Sequence, residues 1–287
     1  LHAAAPGSYL PGTAYKGIGP DDPRTIPERW GYDGPMADAN HDGPDTGPDR
    51  ASGGGTRWIE RELTEAGLML DALASCPKSV ERIRDVGRRL AEMYRAGGKL
   101  LACGNGGSSC DAMHLCEELT GRFRRNRRPL GAIACVDPGH LTCTANDFGY
   151  QDVFARWVEA LGRPGDALVC FSTSGNSENV VRAVAAAREL GMFTVGLLGR
   201  DGGRLAGVCD AEWIVSGPVD PATGSQRPVF ADRIQEIHML IGHTLIGAVE
   251  RELFGQQAVD PEPGKAEVVL ASGARQGIKI GAAERDG

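Results

Sequence analysis

The chain has 287 residues, 41% hydrophobic and 24% charged, with a formal net charge of −7. That length supplies ample core for one large domain or two small ones, and the composition is ordinary for a soluble globular protein. The acidic balance argues against a nucleic-acid partner, and no apolar run is long enough to span a membrane.

Residues 1–56 hold 11 Gly and 8 Pro, with 8 acidic and 4 basic residues, and no sustained period. A disordered extension ending in a SGGGT linker is expected there, with Tyr9, Tyr15, Trp30 and Tyr32 able to pack on the body or on a neighbour. Apolar residues at three- and four-residue spacing in RWIERELTEAGLMLDALA and KSVERIRDVGRRLAEMYRAG predict two amphipathic helices, the second stopped by Gly97 and Gly98. Short apolar runs follow, KLLAC, LGAIACV, DALVCFS, MFTVGLL and AEWIV, with loops and helical stretches between them. Strands alternating with helices predict a parallel sheet covered on both faces. A last helix is expected through ADRIQEIHMLIGHTLIGAVERELF, and a flexible tail over 255–287. The result is one three-layer α/β domain over 57–254, with extra helices at both ends. None of the eight cysteines forms a C-x-x-C pair and several lie in apolar runs. Buried thiols in a reducing compartment, and hence a cytoplasmic protein, are expected. No charged-then-apolar signal segment opens the chain.

Ligands of such sheets bind at the carboxyl ends of the strands. Two loops there are rich in glycine and hydroxyls: CGNGGSS (103–109) and STSGNSEN (172–179), each followed by a helix. Glycines let a backbone approach a ligand, a helix start offers free N–H groups, and Ser108 or Ser109 is placed to cap the first helix. Such loops suit a phosphate monoester without an essential Lys or Arg. GLLGRDGG (196–203) is a third loop of this type. A dinucleotide or nucleotide site fits less well, because GNGGSS lacks both the third glycine of G-x-G-x-x-G and the P-loop lysine. On the helix after the first loop, His114 and Glu118 are four residues apart and share a face, with Cys110 one turn earlier and Glu117 displaced around the helix. The last helix carries Gln235, His238 and His243 within three turns. Two such helices can close round a zinc or supply a general acid and base. Spacing alone does not choose between His238 and His243. The run GRFRRNRRP (121–129), with five arginines, reads as a solvated or subunit-contact loop.

The motifs CGNGGSSCDAMHLCEELTGRF, ANDFGYQDVF, STSGNS, LGRDGG and ADRIQEIHMLIGH resemble those of the phosphoheptose isomerases of the sugar isomerase (SIS) family, over about residues 57–254. The resemblance implies a five-stranded, flavodoxin-like parallel sheet. It implies conversion of sedoheptulose 7-phosphate to D-glycero-D-manno-heptose 7-phosphate through an enediol. It also implies a homotetramer with inter-subunit sites and one Zn2+ per subunit. By motif, Asn105, Gly106, Gly107, Ser108, Asn146, Asp147, Asp232 and Gln235 would touch substrate, and Ser172, Thr173, Ser174 and Ser177 would hold its phosphate. His114, Glu118, Gln235 and His243 would bind zinc. Glu118, also against the substrate, would move the proton between C1 and C2 with His243 as partner acid/base. His238 and Cys110 would be neighbours that bind no metal. The long extension, the tail and the stretch GPVDPATGSQRPVF (217–230) exceed the family pattern, and the last could reshape the pocket. Two alternatives stay open: a non-enzymatic SIS protein that binds a replication initiator, which would lack Glu118 and His243, and an isomerase of another sugar phosphate.

Overall fold

The computed structural model describes residues 55–219 and 222–255. The expected extension, up to residue 54, and the expected tail, from residue 256, lie outside the described residues. Helices α1 (Arg57–Ala74) and α2 (Pro77–Arg95) open the described chain, Pro77 starting α2 where its missing N–H costs nothing. Then come β1 (Leu100–Gly104), α3 (Gly107–Thr120), β2 (Ala132–Ala134), α4 (Pro138–Phe148) and α5 (Val153–Leu161). They are followed by β3 (Ala167–Ser172), α6 (Glu178–Glu189), β4 (Phe193–Gly199), β5 (Ala211–Val215) and α7 (Ala231–Phe254). All five predicted strands, the two predicted amphipathic helices and the predicted last helix are present. LGAIACV yields a strand of only three residues, because β2 is an edge strand paired with β1 alone.

The sheet is wholly parallel, in the order β2-β1-β3-β4-β5. Side chains alternate across it, as the two-residue period of a strand requires. Leu100, Ala102, Val169, Phe171, Val195 and Leu197 face a core shared with α2, α3 and α7. Leu101, Cys103, Leu168, Cys170 and Leu198 face a second core built with α5 and α6. Cys103 and Cys170 are register neighbours. With Cys116 and Cys135 they are buried as expected, whereas Cys110 and Cys143 are exposed. Burial pushes the Cys116 and Cys135 thiols up to about 12, which leaves them unreactive.

Helix α7 packs along α2 at a point of close approach. A Cβ on Gly87 would lie 2.4 Å from the Ala248 Cβ. Gly87→Ala is therefore expected to lower unfolding stability by about 1–3 kcal/mol through overpacking, with an unchanged denaturant slope in urea unfolding. Among the described residues of the 217–230 stretch, Arg227 N–H donates to the Pro218 carbonyl at 2.9 Å, and Val219 bridges Gln226. The stretch lines a cavity of about 380 Å³ with Met69, Leu73, Trp213 and Ile237, between α1, β5 and α7.

Candidate active site

The chain passes from β1 to the edge strand β2 and returns to β3 on the other side of β1, so the connections diverge at the carboxyl ends of β1 and β3. This is the switch point at which open parallel sheets bind ligands. The glycine loop and the hydroxyl loop meet there. Asn105 and Asn179 exchange two side-chain hydrogen bonds of 2.9 Å each, and Tyr150 Oη donates to Asn105 Oδ1 at 2.8 Å. Gly106 is the residue before α3, and neither Ser108 nor Ser109 caps the helix. The Ser108 hydroxyl is instead buried, accepting from Gln235 Nε2 at 3.3 Å. The amide of Gln235 lies so close over Gly107 that a Cβ there would sit 2.5 Å from Nε2.

In the hydroxyl loop, Ser172 is buried and its Oγ accepts from Gly175 N–H at 3.0 Å. Ser174 Oγ accepts from Asn176 N–H at 3.2 Å, and Ser177 is the residue before α6 with no side-chain cap bond. Thr173, Ser174 and Ser177 are partly exposed. The third glycine loop supports this one: Arg204 N–H donates to Asn176 Oδ1 at 3.0 Å and Leu205 N–H to the Gly175 carbonyl at 3.2 Å.

Helices α3 and α7 run side by side in the same direction, with Gln235 against Ser108 at one level and His243 against His114 two turns on. His114 Nε2 and His243 Nε2 are 2.9 Å apart, and Glu118 Oε1 is 3.7 Å from His114 Nε2. One ligand atom from each of His114, Glu118 and His243 falls within 4.8 Å of the other two. Phe123 stacks on the His243 ring with centroids 5.6 Å apart. Burial first, then His114 and Arg124, hold the His243 imidazole below its ordinary value, with Glu118 opposing them. A cavity of about 310 Å³ opens beside His243, between Val80 and Ile83 of α2, Arg124 and Thr244.

The ambiguity between the two histidines of α7 ends here. His238 is fully buried, its Nε2 bonded to the Leu198 carbonyl at 3.0 Å, and burial lowers it to about 4. It is a neutral core residue. Cys110 is exposed and stands outside the cluster. Asn146 and Asp147 are exposed on α4 and bonded to each other at 2.7 Å, and Asp232 is exposed near the start of α7, 3.8 Å from Arg233. Neither Asp147 nor Asp232 belongs to the histidine cluster.

Four features of the site escape the sequence pattern. Glu117 does reach His114: its Oε1 is 3.2 Å from Nδ1, an i, i+3 contact that orients the ring so that Nε2 faces His243. Asp111, one turn before His114, is buried; its Oδ2 has no hydrogen-bond partner among the described residues, and burial raises its carboxyl to about 6. Tyr150 and Asn179 hold Asn105 across 45 and 74 residues of chain, a separation no local signal spans. The arginine run is not uniformly solvated either, since the Arg127 side chain is 3% exposed and paired with Glu250 at 2.6 Å.

Residues 69–199 match the family model described as SIS domain. The phosphoheptose isomerase of Sodalis glossinidius is 49% identical over 198 residues, 69% of this chain and 97% of that protein. That of Vibrio vulnificus is 48% identical over 195 residues, 68% of this chain and 97% of that protein. The solved phosphoheptose isomerase of Neisseria gonorrhoeae superposes with a TM-score of 0.59 at 36% identity, covering 67% of this chain and 97% of that one. For the Francisella tularensis phosphoheptose isomerase the TM-score is 0.60 at 29% identity, with coverage of 70% and 100%. With relatives this similar matched over nearly their whole length, the chain belongs to the phosphoheptose isomerases of the SIS-domain family.

Proposed function

We propose that the protein isomerises sedoheptulose 7-phosphate to D-glycero-D-manno-heptose 7-phosphate through an enediol. The observation that carries this reading is the convergence of His114 and Glu118, on the helix that follows the glycine loop, with His243 of α7. Thr173, Ser174 and Ser177, with the α6 N–H groups, hold the phosphate, while Ser172 keeps that loop in shape. Asn105, Gly106, Gly107 and Ser108 shape the cradle for the sugar, with Asn146, Asp147, Asp232 and Gln235 as further substrate contacts. Glu118 takes the proton from one carbon and returns it to its neighbour, which one carboxylate can do from one side of the enediol. His243, its imidazole held below its ordinary value by burial, gives and takes the hydroxyl protons as the carbonyl moves between C2 and C1.

The residues present fit a zinc. Two imidazole nitrogens and a carboxylate are a usual zinc donor set, and the ion can expand to five ligands to take a substrate oxygen beside a fourth protein donor. Nitrogens 2.0–2.1 Å from a tetrahedral ion stand about 3.3 Å apart. The 2.9 Å contact of His114 with His243 thus needs to open by only a few tenths of an ångström. Gln235 is assigned as the fourth donor, through its amide oxygen, while its Nε2 is the atom that bonds Ser108. A zinc held there would polarise the substrate's carbonyl or hydroxyl oxygen. We place the enzyme in the cytoplasm as a homotetramer with sites between subunits. The exposed apolar side chains of Trp58, Leu63 and Leu70 on α1 support an interface, and no helix among the described residues is long and apolar enough to cross a membrane.

An assay on sedoheptulose 7-phosphate with metal analysis of the same sample tests this reading. Turnover and close to one zinc per chain are expected. Full activity in metal-free protein would remove zinc and leave the acid–base roles standing. Absence of turnover on this sugar alongside turnover on another sugar phosphate would reassign the substrate.

A further inference from the structure

Arg127 lies in the connection between α3 and β2, yet its side chain is 3% exposed and all three of its nitrogens are engaged. Nη2 donates to the Glu118 carbonyl at 2.7 Å. Nη1 donates to the Leu119 and Gly121 carbonyls at 2.9 Å each, and to that of Arg128 at 3.3 Å. Nε donates to Glu250 Oε1 at 2.6 Å. One guanidinium thus satisfies carbonyls at the end of α3 that have no partner within the helix. Glu250 is fully buried on α7, seven residues beyond His243, two turns along and on the same side of the helix. The pair therefore ties the backbone of Glu118 to the helix that carries His243. Its other carboxylate oxygen, Oε2, has no hydrogen-bond partner among the described residues. A buried ion pair is a weak source of stability even when fully satisfied, and this one is not fully satisfied.

We infer that Arg127 and Glu250 are positioning residues: the buried pair is a brace that fixes the separation of Glu118 and His243 and so sets the rate of proton transfer. The inference rests on the acid–base roles proposed above. Both groups reach their reacting partners from opposite helices, and a misplacement of about 1 Å can cost about 100-fold in rate. The phosphate grip lies on the hydroxyl loop, which the brace does not touch.

The test is the double variant Arg127→Met, Glu250→Leu, which removes both charges and strands neither. Its kcat on sedoheptulose 7-phosphate is expected to fall about 10–100-fold with KM within about twofold of wild type. The ring NMR signals of His114 and His243 should shift, while that of His238, bonded to Leu198, stays in place. Arg127→Lys keeps the charge beside Glu250 but loses the fork onto the carbonyls; it should show a smaller loss of kcat in the same direction, and it decides the matter if the double variant does not fold. Wild-type kcat, a loss confined to KM, or unshifted His114 and His243 signals would overturn the brace. A wild-type protein without turnover on this sugar would overturn the proposed function instead, and the ring signals would still decide whether the brace positions the two histidines.

Discussion

Glu118→Gln is expected to lower turnover of sedoheptulose 7-phosphate by about 10²–10⁴-fold, the usual contribution of a general base. The substitution keeps the shape and leaves an amide oxygen facing His114. It removes the carboxylate proposed to accept a proton from carbon and hold it beside the neighbouring carbon. Because the loss falls on a step after binding, KM should change little, and kcat and kcat/KM should drop together. Exchange of solvent deuterium into C1 should disappear with the rate. Were the Gln variant to exchange that proton as fast as wild type, Glu118 would not be the base, and His243, 2.9 Å from His114 in the same cluster, would take its place.

Gly175→Ala should give the opposite kinetic signature. Gly175 has a φ of +63°, and a Cβ there would lie 1.8 Å from the Gly202 carbonyl oxygen. Left-handed backbone costs a non-glycine residue about 1–3 kcal/mol, and the clash adds to it by forcing the hydroxyl loop and the third glycine loop apart. Their separation would break the bonds of Arg204 N–H to Asn176 and of Leu205 N–H to Gly175. The loop of Thr173, Ser174 and Ser177, proposed above to hold the phosphate, would then be displaced. The expected result is a melting temperature lower by several degrees and a KM raised about tenfold or more, tenfold corresponding to about 1.4 kcal/mol of lost grip. Variant protein with a wild-type KM would show that the phosphate is held elsewhere.

The contrast between the two histidines of α7 shows where sequence reading stops. Helix α2 was legible because one face meets the core and the other meets water, which prints a three- and four-residue period; α1 carries the same period although Met69 is its one buried residue. Helix α7 is buried over most of its circumference, from Ile234 and Ile237 to Gly242, Leu245 and Ile246, so no polar face marks the direction of the site. His238 and His243 look alike in one dimension. Only packing sends the first to the backbone of β4 and the second to His114. The i, i+4 pair of His114 and Glu118 was legible because both partners lie on one helix. The same spacing logic set Glu117 aside, although a three-residue step brings its flexible side chain to the far ring nitrogen. Ser108 was misread as a cap because α3 begins one residue earlier, with Gly106 in the cap position, and the Ser108 hydroxyl accepts from Gln235, 127 residues on. Arg127 was lost among four neighbouring arginines, since its burial depends on a glutamate 123 residues away.

The shared direction of α3 and α7 has an electrostatic consequence. Gln235, in the second turn of α7, touches Ser108 in the first turn of α3, so these two helices begin side by side, and α6 begins at the loop joined to them through Asn105 and Asn179. Each start carries the positive end of a helix dipole, roughly half an elementary charge. A sugar phosphate approaching a chain of net charge −7 is repelled at long range. Within about 8 Å of the cradle, the screening distance at physiological salt, it instead meets three aligned positive ends with no lysine among the loop residues. The backbone itself thus supplies the local attraction that the side-chain charges of the whole chain oppose, and it does so without a mobile cation that would compete with Glu118 for the reacting end of the sugar.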